Sequence, residues 1–95
     1  MTELTPDTRL SVPTHIVSRL VEDETVLLNL ESGFYFGVDQ VGQRIWQLAG
    51  DGKTLGEIVN AIVAEYEVEP AKAKVDVLEF AATLLEKGLL LGDRG

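Results

Sequence analysis

The chain has 95 residues, with 16 acidic against 8 basic for a formal net charge of −8, and is 45% hydrophobic. That length holds one domain with a modest core, and that composition excludes a disordered chain. With no cysteine and a single histidine, His15, a disulfide framework, a thiolate metal site and a His-based metal site are all excluded.

Binding to nucleic acid rests on Lys and Arg neutralising phosphates. The few basic residues here are scattered, so nucleic acid is not an expected partner, and anionic membrane surfaces are disfavoured for the same reason. No apolar run approaches the ~20 residues of a membrane span. Met1 to Thr8 lacks the basic start and apolar run of a signal peptide. The expectation is a cytoplasmic protein, one domain over residues 1–95, with an N-terminal arm over 1–13 and a core over 14–91.

In chain order, His15 to Val21 alternates well enough for a first strand. Glu22-Asp23-Glu24 is an acidic turn, and Thr25 to Leu30 is a β-branched and leucine run that predicts a second strand, with Val26, Leu28 and Leu30 on one face. Ser32-Gly33 makes the next turn, Gly33 supplying a positive φ if the turn needs it. A third strand follows at once, over Gly33 to Val38. Links this short favour an antiparallel three-stranded meander with the third strand at one edge.

The pattern then changes to helical spacing. Asp39 is a good N-cap for a first helix carrying Val41, Ile45, Trp46 and Leu48 or Ala49, and Gly50 is placed to end it. Thr54-Leu55-Gly56-Glu57 is a capping box. The second helix then carries Leu55, Ile58, Val59, Ile62, Val63 and Tyr66, and Glu65 to Glu69 reads as an acidic linker. Pro70 opens a third helix, Gly88 stops it near Lys87, and Leu89-Leu90-Leu91 is an apolar tail expected to pack back on the core.

Two stretches hold more apolar surface than one small core requires. In the third strand Phe34, Phe36 and Val38 share one face and Tyr35 takes the other, whereas a half-buried strand is polar on one side. Either the protein's own helices cover both faces, or the strand is an edge that accepts a peptide from another molecule. On the third helix, Leu78, Ala81 and Leu85 form one line, read as a normal core stripe. Ala73, Val77, Phe80 and Leu84 form a second line beside it. The combined arc is wider than the little over 100° a surface helix needs. Either the helix is sandwiched in the core or one flank lines an exposed groove.

No catalytic serine motif, zinc-protease helix, phosphate loop or dinucleotide fingerprint is present. Asp51-Gly52-Lys53-Thr54 echoes the end of a phosphate loop but lacks the leading glycine spacing. Helix caps and solvated faces account for Asp39, Glu57, Asp76 and Glu79. The chain reads as a binding module rather than an enzyme, with no catalytic or metal-binding residues and no cofactor.

Several phrases, in order, are similar to those of one known family. They are Val26-Leu27-Leu28-Asn29-Leu30-Glu31-Ser32-Gly33, Asp39-Gln40-Val41-Gly42-Gln43-Arg44-Ile45-Trp46, Asp51 to Val59, Asp76-Val77 with Phe80, and Gly88-Leu89-Leu90. Over residues 15–91 the chain resembles the PqqD family of RiPP recognition elements, domains that bind the leader of a ribosomally made precursor peptide. Its N-terminal strands and the phrase from Leu28 to Asp39 look most like the standalone recognition proteins of lasso-peptide clusters.

The resemblance implies an α+β fold, a winged helix-turn-helix with a three-stranded antiparallel sheet followed by three helices. It also implies a leader that adds antiparallel to the third strand, at Gly33, Phe34, Tyr35, Phe36, Gly37 and Val38. The groove beside the third helix would be lined by Ala73, Asp76, Val77, Phe80, Thr83 and Leu84. Phe34 departs from the more polar residue expected in such an edge turn. The implied partners are the precursor's leader and a processing enzyme, a leader peptidase in lasso systems. A peptide chaperone for a radical SAM or other maturase stays open. The rival from another class, a winged-helix DNA regulator, conflicts with the net charge and with a second helix lacking the Arg, Lys, Asn and Gln set that base reading needs.

Overall fold

The computed structural model describes residues 4–93. Three strands, β2 (Ile16–Val21), β3 (Glu24–Asn29) and β4 (Tyr35–Val38), form an antiparallel sheet in the order β2-β3-β4. They are followed by α1 (Gln40–Gly50), α2 (Leu55–Tyr66) and α3 (Pro70–Glu86). Two further strands, β1 (Arg9–Ser11) and β5 (Leu91–Asp93), pair antiparallel as a separate ribbon. The winged helix-turn-helix expected from the sequence is therefore present, with that ribbon added.

The local signals act as the sequence implies. Asp39 caps α1, its Oδ1 accepting from the Gly42 N–H at 2.7 Å. At α2 the Thr54 Oγ1 accepts from the Glu57 N–H and the Glu57 Oε1 accepts from the Thr54 N–H. Gly88 ends the last helical stretch with φ +73°. Some boundaries differ: β4 begins at Tyr35 rather than Gly33, and β3 ends at Asn29 rather than Leu30. Glu65 belongs to α2 rather than to a linker, because its carboxylate takes a bidentate pair from Arg44 on α1, at 2.9 and 3.0 Å.

The N-terminal arm is a working part of the core. Leu10 on β1 is 2% exposed and sits in the main hydrophobic cluster. Upstream, the Thr8 and Pro6 carbonyls accept from the Leu55 and Gly56 N–H groups at 2.8 and 2.9 Å. A helix begins with four N–H groups that have no partner in the helix; at α2 the arm takes two and the capping box satisfies the others. Met1 to Glu3 lie outside the described residues.

The sheet packs one face on the helices. Leu27 and Ile16 are buried there, and Phe36 and Val38 lie half-buried against the same cluster. On β3 Leu27 joins the main cluster, Val26 is buried outside it at 7% exposed, and Leu30 lies beyond the strand and is exposed. On α3 the core stripe is Ala73, Val77, Ala81 and Leu84; Ala81 is buried as expected, while Ala73, Val77 and Leu84 of the second line join it in the core and Phe80 of that line keeps surface. Leu78 and Leu85 are half-buried at its margin. Among the described residues no helix is long and apolar enough to cross a membrane.

Two outcomes test this account. Leu10→Ala should lower the unfolding free energy by about 2–5 kcal/mol, as for a leucine in a packed core; a change near zero in urea titrations would show the arm to be dispensable. The Glu57 carboxyl is held below its usual pKa, first by the Thr54 backbone N–H and then by its hydroxyl. A depressed folded value means that the contribution is present above the ordinary carboxylate pKa and is lost as pH falls through the folded one. Stability should therefore fall less on acidification in Glu57→Gln than in the parent.

Candidate peptide-binding edge and groove

Two side chains build the turn into β4, Asn29 and Ser32, and the Ser32 Oγ accepts from the Phe34 N–H at 3.2 Å. The Asn29 Oδ1 accepts from the N–H groups of Glu31 and Ser32 at 2.9 and 3.1 Å. The Asn29 carbonyl accepts from Gly33 at 2.8 Å. Gly33 takes φ +80° there, a conformation that a Cβ would penalise. Asn29 was not among the sequence-predicted site residues, although an Asx turn before Ser-Gly was a usable signal.

Hydrogen-bonded and non-hydrogen-bonded pairs alternate along an antiparallel ladder. The Asn29 N–H donates to the Phe34 carbonyl at 2.9 Å, so Phe34 is a bonded position. Phe36 opposite Leu27 and Val38 opposite Thr25 are the next two. Tyr35 and Gly37 therefore turn their N–H and C=O groups away from β3. No other strand pairs with that side of β4 among the described residues. The open edge thus offers four backbone groups, two donors and two acceptors, in register for an incoming strand.

The side chains fit this use. Phe34 and Tyr35 are 79% and 72% exposed, far more than aromatics usually are. Phe36 and Val38 anchor the strand from below. Nothing lies within 4 Å of a Cβ placed on Gly37, so the edge is unobstructed at that point.

Two hollows flank the strand on the α3 side. One is lined by Phe34, Phe36, Asn29, Leu89 and Lys87, with the Lys87 Nζ 5.5 Å from the centroid of the Phe36 ring, within cation–π range. The other is lined by Asp39, Val41, Gly42, Ile45, Asp76 and Phe80. Thr83 lies half-buried between them on α3 and donates its hydroxyl to the Glu79 carbonyl at 2.9 Å. Asp76 is exposed and paired with Lys72 at 3.1 Å.

Of the residues expected to line the groove, Gly33 through Val38, Asp76, Phe80 and Thr83 have surface to offer. Ala73, Val77 and Leu84 do not. They are 1%, 0% and 0% exposed and belong to the core, because α3 turns that stripe inward against the rest of the cluster. Gly42, Lys87 and Leu89 join the site through tertiary proximity alone.

Sheet, helices and the open β4 border define a winged helix-turn-helix domain whose wing sheet is left unfinished beside α3. Residues 24–90 match the family model of coenzyme PQQ synthesis protein D (PqqD), and the chain belongs to that family. No curated protein matches the chain. Among solved structures it is similar to TbiB1 in complex with the TbiA(beta) leader peptide, at 45% identity over 84% of this chain and 93% of that one, TM-score 0.74. It is also similar to a lasso peptide synthetase B1 complexed with its leader peptide, at 26% identity over 87% and 98%, TM-score 0.78.

Gly42 sets where the Phe80 ring lies. A Cβ there would sit 2.8 Å from Phe80 Cε1 and 3.0 Å from Cζ, so Gly42→Ala must displace the ring. The helical gain of alanine over glycine, about 1 kcal/mol, offsets the cost of that shift. Stability should change by less than about 1 kcal/mol while the Phe80 ring resonances move in NMR spectra. Unmoved resonances would contradict the packing described.

Proposed function

We propose that this protein binds the leader segment of a ribosomally synthesised precursor peptide and is itself non-catalytic. The observation that carries the reading is the pair of outward-facing residues, Tyr35 and Gly37, on a β4 edge that no strand of the chain occupies among the described residues. The leader adds antiparallel to β4 as a fourth strand. Its apolar side chains on one face enter the two hollows beside α3, between Phe36 and Lys87 and between Gly42 and Phe80. The relatives captured with leader peptides support this.

The bound precursor is then presented to a processing enzyme, a leader peptidase of the lasso type. Holding substrate and enzyme together makes cleavage effectively intramolecular. A PqqD-like role beside a radical SAM or other maturase uses the same groove and differs in the enzyme served. For DNA binding the charge is unfavourable: α3 exposes Asp76, Glu79 and Glu86, and phosphate contacts need the opposite sign.

The test uses the TbiA(beta) leader peptide, the ligand of the 45% identical TbiB1. Titrated into isotope-labelled protein, it should shift the amides of Tyr35 to Val38 together with those of Phe80, Thr83 and Lys87. Gly37→Pro removes one outward N–H without touching the ladder to β3, a placement that edge strands tolerate. It should weaken the leader at least about five-fold, the equivalent of one lost bond, with the fold intact. Shifts confined to β2 or α2, or none at all, would overturn the reading.

A further inference from the structure

We infer that the β4 track is charge-polarised and selects the direction of its peptide, with Lys87 taking a carboxylate from the peptide's C-terminal half. The inference rests on the leader-binding reading of the same groove and adds the chemistry that orients the ligand.

At the Tyr35 end the hollow beside Phe36 is lined by one charged side chain, Lys87, and by no acid. Among the described residues Lys87 forms no salt bridge, and it is exposed at the C-terminus of α3 with its ammonium over the Phe36 ring. That contact holds the cation on the floor of the track. In a chain of net charge −8, a basic group bordering the groove is not explained by overall composition.

At the Val38 end the surroundings reverse. The cavity there is lined by Asp23 and Glu24 from the β2–β3 hairpin and by Asp39, with Leu20, Val38 and Gln43, and by no basic residue. Asp39 caps α1 through one carboxylate oxygen, while Asp23 and Glu24 form no salt bridge among the described residues. Asp76, farther along α3, is already paired with Lys72.

Backbone bonds cannot enforce direction by themselves, since the outward N–H and C=O groups of Tyr35 and Gly37 can pair with a strand of either sense. Charge at the two ends can, because placing like charges together costs more than leaving a neutral contact. An antiparallel peptide enters with its N-terminal half at Val38 and leaves with its C-terminal half at Tyr35. The matching ligand is an extended peptide with an apolar middle, Lys or Arg toward its N-terminus, and Asp or Glu toward its C-terminus.

The experiment is a selection of displayed random short peptides on the whole protein, on Gly37→Pro and on Lys87→Glu, with Lys87→Arg and Lys87→Gln as companions. Lys87 is exposed, so these variants keep the fold; thermal unfolding verifies it. Peptides kept by the parent and lost on Gly37→Pro are the track binders. The expected result is acid enriched in their C-terminal half and base in their N-terminal half. A synthesised member should bind Lys87→Glu about three- to ten-fold more weakly at low salt, with Lys87→Arg restoring it and Lys87→Gln intermediate. Track binders with no charge order, or insensitive to Lys87→Glu, overturn the polarity and leave the leader reading standing. If no peptide depends on Gly37, both fall together.

Discussion

A strand held on one side only is the constraint from which the rest of this structure follows. Phe36 and Val38 fix β4 to the helices and β3 supplies its ladder, so the strand is rigid before anything joins it. Its outward groups at Tyr35 and Gly37 meet water in the free protein, and an exposed N–H or C=O costs little there. An edge of this kind is a general hazard for self-association. Here it is short, four residues, and bordered by the helix flank, which limits what can pair with it. The sheet has a second border, at β2, but that strand projects as the wing with Ser18 to Val21 exposed. The border beside α3 is the one with hollows for side chains.

The bonding of the N-terminal arm explains why that border stays open. An N-terminal arm next to an unfinished sheet is an obvious candidate to complete it. Here Pro6 and Thr8 are engaged at the first turn of α2, and Arg9 to Ser11 are paired with β5. The backbone groups that could have sealed β4 are bonded elsewhere, and Leu10 commits that segment to the core.

How much of this is legible in the sequence depends on the range of the interaction. Asp39, Thr54 with Glu57, Gly33 and Gly88 act within a few residues of themselves, and their positions mark the elements correctly. The third strand's surplus of aromatics is a local fact as well, and it points to the open edge. The orientation of α3 is not local. Helical arithmetic shows two adjacent apolar lines but not which one faces inward, and the smaller Ala73 and Ala81 allow the Val77 line to sit deepest. Strands of three residues at the two ends of the chain leave too little pattern to predict their pairing. Lys87 and Gly42 are ordinary helix-terminal residues in sequence. They matter because the fold brings one onto the Phe36 ring and the other against Phe80.

Magnitudes then decide where recognition resides. Four new backbone bonds at about 1 kcal/mol each do no more than match the low end of the association cost, about 4 kcal/mol. Backbone pairing alone would leave a ligand loosely held and indifferent to sequence. Apolar side chains that reach the two hollows contribute roughly 1.5–3 kcal/mol each when fully buried, and this is where both affinity and discrimination must come from. Under the proposed function the edge sets register and the hollows choose the ligand. That division of labour explains why α3 keeps Phe80 half-exposed on the flank while its smaller residues fill the core, since a fully buried Phe80 would leave the edge without a selective wall beside it.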